Sequence, residues 1–268
     1  MTDSSALKPR LVVKGLVAGY GDVIVLKDID LTIAEREIRI ILGGSGCGKS
    51  TLMKNIIGIE QPRGGTIELL DQPIDWSQGR PGLEVFRKVG VLFQGGAMIS
   101  SLTVAENVAL PLDLHHPELP KTVVKDMVAM KLEQVGLGEA YHRMPDALSG
   151  GMRKRAALAR TLILDPDLLF CDEPSAGLDP ITSRGLDDLL LELRDALGIS
   201  LMVVTHELDS IRALCDKMLF LSGGKVIFDG SLEDAEESGP EEVRDFLSRK
   251  AFSDSRKSAR LTIKTEAK

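Results

Sequence analysis

The first residues that could do chemistry form a glycine-rich segment, residues 43–51, with the sequence GGSGCGKST. A strand-like apolar run precedes this segment and a helix-like apolar run follows it. Glycines let the backbone form a nest of N–H groups, and the helix N-terminus adds the positive end of a dipole. The segment is therefore predicted to bind the phosphates of a nucleoside triphosphate, with Lys49 on the β- and γ-phosphates and the Ser50 hydroxyl on Mg²⁺. The predicted phosphate-binding residues are Gly43, Gly44, Ser45, Gly46, Cys47, Gly48, Lys49, Ser50 and Thr51.

Two adjacent carboxylates, Asp172 and Glu173, follow the short apolar run at 167–171. Such a run is typical of a central parallel strand, and the carboxyl ends of parallel strands are where α/β sheets bind ligands. Neighbouring strand residues point to opposite faces, so the two acids can have different roles. Asp172 is predicted to hold Mg²⁺ through water and Glu173 to polarise the attacking water. A solvated pair of acids at a strand end is the alternative.

Three further side chains are candidates for the same site. Gln94 follows a strand-like run at 88–93, and His206 follows another at 199–204. Because parallel strands end at one sheet edge, both side chains are predicted to lie near Asp172. Tyr20, on a turn flanked by glycines, could stack on an adenine ring or pack on the sheet, and the sequence favours neither.

A second glycine-containing segment, residues 148–152, reads LSGGM and opens a helix. Ser149 is a good N-cap, and Gly150 and Gly151 leave backbone N–H groups open for an anion. The helix also carries basic side chains, and their convergence with the glycines favours contact with phosphate. These basic residues are Arg153, Lys154, Arg155 and Arg160.

Composition excludes several functional classes. With a net charge of −7, the 268-residue chain has no overall basic field, so no nucleic-acid partner is expected. No apolar run approaches the length of a membrane span and the N-terminus has no apolar signal region, so membrane contact is expected through a partner. Three cysteines are too few for a disulfide framework and are expected to be reduced and buried.

The elements that must position these residues are predicted from the apolar pattern. Alternating runs at 11–17 and 28–33 indicate antiparallel strands, and about 95–164 reads as helical. One domain is predicted over 1–248. The remaining residues, 249–268, have seven Lys or Arg against two Asp or Glu. This basic tail is either solvated and disordered, or in contact with anionic lipid or a partner subunit.

Taken in order, these motifs resemble those of ATPase subunits of ABC transporters. The resemblance spans about residues 10–232 and includes LLFCDEP around Asp172 and SAGLDP around Asp179. It implies an α/β fold, the P-loop NTPase of ABC type, with a mixed central sheet, an antiparallel β-subdomain and an inserted α-helical subdomain. Three positions depart from common usage in the family: Gly44 stands where proline is frequent, Arg36 where glycine is frequent, and Met152 where glutamine is frequent.

The resemblance also implies a mechanism with ATP and Mg²⁺ as cofactors. Two copies would form a homodimer around two ATP molecules, each held by residues 43–51 of one chain and the LSGGM segment of the other. Glu173 would be the general base, and His206 and Lys49 would stabilise transition-state charge. Tyr20 would stack on adenine, and Asp179 would lie in a dimer-contact turn. Gln94 would sense the membrane partner and would bind the metal together with Ser50 and Asp172. The partner's nucleotide would be contacted by Ser149, Gly150 and Gly151.

A narrower resemblance concerns cargo. The segments FQGGAMISSLTVAENVALPL, MPDALSGGMRKRAALARTL and DEPSAGLDPITS are similar to ATPases of MCE-associated, Mla-type phospholipid transport. This implies integral-membrane permease subunits and an MCE-type lipid-binding protein as partners, and a position on the cytoplasmic face of the inner membrane. The alternatives are an ABC ATPase for another cargo, such as amino acids, or a non-transport ABC protein acting on ribosomes or DNA. The last would require tandem ATPase domains, a coiled-coil insertion or a basic face.

Overall fold

Residues 8–77, 82 and 84–248 are described by the computed structural model of the chain, so the predicted basic tail at 249–268 lies outside them. Within these residues the chain forms ten strands and eight α-helices. In chain order they are β1 (Pro9–Tyr20), β2 (Val23–Ala34), β3 (Ile38–Gly43), α1 (Lys49–Ile56), β4 (Gly64–Leu69), β5 (Gln72–Pro73), β6 (Val89–Leu92), α2 (Val104–His115), α3 (Lys121–Gln134), α4 (Gly150–Leu162), β7 (Leu168–Asp172), α5 (Pro180–Leu197), β8 (Ser200–Val204), α6 (Leu208–Leu214), β9 (Lys217–Ser222), β10 (Lys225–Gly230), α7 (Leu232–Ser238) and α8 (Glu241–Leu247).

Two sheets organise these elements. An antiparallel sheet has the order β2-β1-β4-β5, and a six-stranded sheet has the order β10-β9-β3-β8-β7-β6. The larger sheet is parallel except for the β9–β10 hairpin, so it is mixed. The predicted α/β class, with a mixed central sheet and an antiparallel β-subdomain, is confirmed.

The central sheet separates two apolar cores. Along β7, Leu169 and Cys171 face the core built with α2 to α8, whereas Leu168 and Phe170 face the core built with α1 and the antiparallel sheet. This alternation follows from the two-residue period of a strand, and a central strand covered on both faces has no polar side. The glycine-rich segment therefore belongs to one core and the helix α4 to the other, with the sheet between them.

The helical region predicted over about 95–164 begins later, and loops divide it into α2, α3 and α4. Residues 95–103 contain no helix, and α2 starts at Val104 because Thr103 and Glu106 form a reciprocal capping box. The buried Asn107 amide donates to the carbonyls of Ile99, Leu102 and Thr103, which holds the preceding loop. Pro111 does not end the helix, which runs on to His115.

Arg36, which stands where glycine is frequent in the family, has a left-handed backbone with φ of 62°. Its N–H donates to the Ser200 hydroxyl at 2.8 Å, and its guanidinium donates to the Asp195 carbonyl at 3.1 Å. These bonds tie the turn before β3 to the start of β8 and offset the cost of a left-handed non-glycine residue.

None of the helices in the described residues is long and apolar enough to cross a membrane.

Candidate functional site

The segment between β3 and α1 forms a tight backbone loop that requires glycine. Gly43 has a φ of 143°, and a Cβ there would collide with the Leu221 carbonyl and lie 2.6 Å from the Cys47 Sγ. Gly48 has a φ of 110°, and a Cβ there would lie 2.5 Å from a methyl group of Leu26. The loop therefore holds a shape that side chains at these two positions would prevent.

The loop presents hydrogen-bond donors toward open space. In the described part of the chain, the N–H groups of Ser45, Gly46 and Gly48 have no protein acceptor. A Cβ built at Gly44 or Gly46 would have no heavy atom within 4 Å. The predicted phosphate-binding segment thus provides both free donors and room for phosphate oxygens.

The Lys49 ammonium group lies against this loop. Its Nζ donates to the carbonyls of Gly43 at 2.8 Å and Gly44 at 3.1 Å, and lies 3.8 Å from the Cys47 Sγ. Lys49 is the first residue of α1, so its charge is positioned beside the nest of N–H groups. The fit to a triphosphate is good.

Tyr20 is brought to the same helix. Its hydroxyl lies 3.3 Å from Thr51 Oγ1, and the Lys54 Nζ lies 5.8 Å from the ring centroid. Tyr20 is 46% exposed, which is compatible both with stacking on adenine and with packing on the sheet. Stacking on adenine stays a prediction.

Asp172 and Glu173 diverge at the end of β7, but not by the alternation of a strand. The strand ends at Asp172, and Glu173 has a left-handed φ of 48° while its N–H donates to the Val204 carbonyl at 2.8 Å. The expectation that both carboxylates lie on the strand, separated by its pleating, is therefore wrong. Asp172 is the last residue of β7, and Glu173 lies in the turn that follows. A left-handed non-glycine residue at this place is typical of functional sites.

Glu173 and His206 form a pair. His206 Nδ1 lies 2.8 Å from Glu173 Oε1. Glu173 Oε2 is buried and has no hydrogen-bond partner among the described residues. An orphaned buried acceptor is costly unless a ligand or water occupies it, so this oxygen is suited to accept a hydrogen bond from a bound water.

The electrostatics of Asp172 place Lys49 in the same site. Burial raises the pKa of the Asp172 carboxyl above its usual value, and the neighbouring Glu173 charge raises it further. The charges of Lys49 and Lys154 act in the opposite direction. The predicted catalytic lysine and the two predicted acids are thus close enough to interact.

The residues predicted to hold Mg²⁺ are Ser50, Gln94 and Asp172. Among the described residues, no cluster of three or more His, Cys, Asp or Glu side chains could hold a metal ion alone. One partly buried carboxylate with one hydroxyl beside a phosphate loop fits Mg²⁺, which binds few protein ligands and shares phosphate oxygens. The metal assignment of these three residues stays a prediction.

Gln94 lies just beyond β6, with its side chain exposed. Its carbonyl accepts a hydrogen bond from the Lys154 ammonium, which also donates to the Glu173 carbonyl at 3.1 Å. One lysine on α4 therefore joins the backbones of Gln94 and Glu173, which lie far apart in the sequence.

The segment at Ser149 forms a second cluster. Ser149 caps α4 by accepting from the Met152 N–H at 3.2 Å, as predicted. A Cβ at Gly150 would lie 3.4 Å from Leu178, and one at Gly151 would collide with Thr182. Among the described residues, no hydrogen bond connects this cluster with residues 43–51. Cys47 packs in the core on one face of the central sheet and Leu148 packs in the core on the other face, so the two predicted halves of the site belong to different cores of one chain.

Asp179 belongs to this second cluster. Its carboxylate caps α5, accepting from the N–H groups of Ile181 and Thr182, each at 3.1 Å. The hydrogen bond from the Thr182 hydroxyl lowers the pKa of the Asp179 carboxyl most, and the two N–H groups lower it further. A local capping role is therefore established for this side chain, and a role at a dimer contact stays a prediction.

The basic side chains of α4 do not converge at the helix start. Only Arg153 is exposed there; Arg155 donates to the Val135 and Gly185 carbonyls, and Arg160 donates to those of Gly96 and Ala97. The prediction that these charges face phosphate is wrong for Lys154, Arg155 and Arg160, because distant carbonyls bind them inside the fold. The contact between Lys154 and the Glu173 carbonyl was not predicted from the sequence. A backbone carbonyl is the same in every residue, so the sequence does not indicate which carbonyl a lysine binds.

The thiols have different environments. Burial raises the pKa of both Cys171 and Cys215 to about 12. The prediction that all three cysteines are buried is wrong for Cys215, which is partly exposed. Cys47 is 8% exposed.

We expect the native chain to take up at most one maleimide at pH 7.5, since only thiolates react readily. Intact mass after brief labelling measures this, and three additions are expected in denaturant; two or more rapid additions to the native chain would contradict it.

Comparisons with known proteins agree with this site. Residues 26–176 match the family model described as ABC transporter. The chain is 40% identical over 228 residues to the intermembrane phospholipid transport system ATP-binding protein MlaF of Escherichia coli, covering 85% of this chain and 84% of that protein. It is 36% identical over 223 residues to the methionine import ATP-binding protein MetN 4 of Oceanobacillus iheyensis, covering 83% of this chain and 64% of that protein.

A solved structure has the same fold. The dimeric post-hydrolysis state of the ATP-binding cassette MJ0796, bound to ADP and Pi, aligns with a TM-score of 0.72 and 28% identity. The alignment covers 83% of this chain and 98% of that chain.

Proposed function

The chain belongs to the ABC transporter family as an ATP-hydrolysing subunit, and on this premise we propose that two copies close around two ATP molecules to drive a permease that moves phospholipid between membranes. The observation that carries the ATPase assignment is the meeting of Lys49, Asp172, Glu173 and His206 at one edge of the central sheet.

The homodimer is proposed because the site is divided. Residues 43–51 and the cluster at Ser149 belong to different cores of one chain, and a second copy related by a two-fold axis would supply the missing half to each. Ile181, beside Asp179, is 85% exposed, which suits a contact surface. The related cassette MJ0796 is dimeric in its ADP- and Pi-bound structure.

Hydrolysis follows from the geometry of the chain's own residues. The N–H groups of Ser45, Gly46 and Gly48, together with the Lys49 ammonium, bind the phosphates and stabilise the charge that develops on them. Glu173 Oε2 orients a water molecule and accepts its proton, while His206 holds the other carboxylate oxygen. Ser50, Gln94 and Asp172 would hold Mg²⁺, which would neutralise further charge at the phosphates.

A permease helix is proposed to bind in a surface groove beside Gln94. The groove has a volume of about 300 Å³ and is lined in part by Phe93, Ala97, Pro111 and Leu164. Phe93 is 40% exposed, as is Ile99 in the loop that follows. The apolar segment after Gln94 therefore offers a partner helix a contact surface next to the catalytic edge. This contact would hold the chain on the cytoplasmic face of the membrane.

Phospholipid is the proposed cargo because of the likeness to MlaF, whose name describes intermembrane phospholipid transport. The segment FQGGAMISSLTVAENVALPL, which includes Gln94 and would face the permease, is also similar to Mla-type ATPases. An MCE-type lipid-binding protein is the further partner proposed. The likeness to MetN 4 favours amino-acid import as the second candidate.

Cargo is tested by purifying the tagged chain from its native membranes in mild detergent and identifying the proteins and lipids that accompany it. Recovery of a permease together with an MCE protein and bound phospholipid is the expected result. Recovery of the permease with a solute-binding protein and no MCE protein would favour the amino-acid candidate. Recovery of ribosomes or DNA without a permease would contradict transport altogether.

A further inference from the structure

Lys154 is a buried cation bound to the backbone of the catalytic edge. It lies one turn after Ser149 on α4 and is 7% exposed. Its Nζ donates to the carbonyl of Gln94 and, at 3.1 Å, to that of Glu173. Both carbonyls belong to residues whose side chains are proposed to act in ATP hydrolysis.

The Glu173 backbone needs such support. Its left-handed φ of 48° is unfavourable for a non-glycine residue. Its N–H donates to the Val204 carbonyl, and its carbonyl accepts from the Lys154 ammonium at 3.1 Å and from the Ala176 N–H at 3.2 Å. Because the side-chain direction depends on this backbone, the bond from Lys154 helps to aim Glu173 Oε2. At Gln94, the same ammonium group fixes the point where the chain leaves β6.

Arg160 extends the same arrangement along α4. Its guanidinium donates to the carbonyls of Gly96 at 2.7 Å and Ala97 at 2.8 Å. The loop after β6 is therefore held on α4 at three carbonyls, those of Gln94, Gly96 and Ala97. The link to Glu173 depends on Lys154 alone among the side-chain donors of α4.

The cost of burying the Lys154 cation is partly offset by two carboxylates. Burial lowers the pKa of the Lys154 ammonium group, and the negative charges of Glu173 and Asp172 oppose that effect. A charged donor bound to carbonyls beside two carboxylates makes stronger hydrogen bonds than a neutral donor would.

We propose that Lys154 is a positioning residue for hydrolysis: it couples α4, which begins at the predicted contact with the partner's nucleotide, to the backbones of Gln94 and Glu173 in its own chain. This inference rests on the proposed function. It assigns the side chain to the geometry of the water-activating carboxylate and not to nucleotide binding.

The test compares Lys154→Met with Lys131→Met. Lys131 is also 7% exposed, but its Nζ pairs with Asp165 at 2.6 Å, away from the catalytic edge, so it is a matched control for the loss of a buried lysine. We expect Lys154→Met to lower kcat about 10- to 100-fold, since small misplacements of catalytic groups have effects of this size. KM for ATP should stay within about threefold of wild type, because binding is retained. Lys131→Met should keep wild-type kcat.

Hydrogen–deuterium exchange of the nucleotide-free chain provides a readout other than activity. Lys154→Met should speed exchange in peptides covering 94–97 and 173–176, and Lys131→Met should not. Lys154→Gln, which keeps an amide donor, is measured alongside and read by the same criteria if the Met variant does not fold.

Unchanged exchange in both peptides, or a kcat at least half that of wild type, would overturn the inference. So would a loss confined to KM. Wild-type protein with no ATP turnover would instead count against the proposed function, and the exchange experiment would still report on the link made by Lys154.

Discussion

Replacement of Glu173 by Gln is expected to lower ATP turnover at least about 100-fold while leaving ATP binding intact, since a positioned general base contributes about this much. Glutamine has nearly the same shape as glutamate, so the contact with His206 Nδ1 can be kept. Its amide cannot accept the proton that Glu173 Oε2, buried and without a partner among the described residues, is placed to take. Phosphate release measures turnover, and equilibrium titration with ATP measures binding.

The same variant should accumulate as a dimer in the presence of ATP. The γ-phosphate is proposed to contact both chains, so a nucleotide that is not cleaved keeps the closed state stabilised. Light scattering after size-exclusion chromatography with and without ATP measures this. Glu84→Gln serves as the control, because Glu84 is an exposed carboxylate whose partner is Arg87. Turnover near wild type in Glu173→Gln would refute the assignment of this residue as the base.

Replacement of Lys49 by Ala should reduce turnover at least as strongly, about 100-fold or more, and should also weaken ATP binding. Lys49 is the charged donor beside the free N–H groups of the loop, with its Nζ 2.8 Å from the Gly43 carbonyl. Its loss removes a favourable contact with the phosphates both before and during the reaction, so kcat and the dissociation constant should both change. The ATP-dependent dimer should then be lost as well.

Lys225→Ala is the matched control for this variant, because Lys225 is an exposed lysine at the start of β10. It should keep wild-type turnover and dimerisation. If Lys49→Ala instead bound ATP as tightly as wild type and still formed the dimer, the phosphate contact assigned to Lys49 would be wrong.

The parts of the site that sequence predicted are those that depend on local order. Strand, glycine loop and helix follow one another at 38–56, so a Gly and Lys pattern identifies the loop without knowledge of the rest of the fold. The sequence predicts Asp172 and His206 at the same edge of the central sheet, because the carboxyl ends of parallel strands meet there. The sheet order, with β7 beside β8, confirms that reasoning.

The parts that sequence could not predict depend on contacts between distant segments. The positive φ of Glu173 arises where its N–H meets the Val204 carbonyl, a pairing that the apolar pattern of β7 does not encode. Lys154 reads as one more basic residue on a helix, yet 60 residues separate it from Gln94. Backbone carbonyls carry no residue identity, so sequence offers no signal for an ion that binds them.

The bonds that Lys49 makes to the carbonyls of Gly43 and Gly44 have a consequence for the pace of nucleotide exchange. Because the carbonyls of Gly43 and Gly44 bind its ammonium group, Lys49 braces the loop from within the protein, and arriving ATP only has to replace two internal acceptors with phosphate oxygens. The entropy of ordering the loop is lost when the chain folds rather than at each encounter. Departure of ADP should therefore leave a receptor ready for the next molecule, with no slow reordering between cycles.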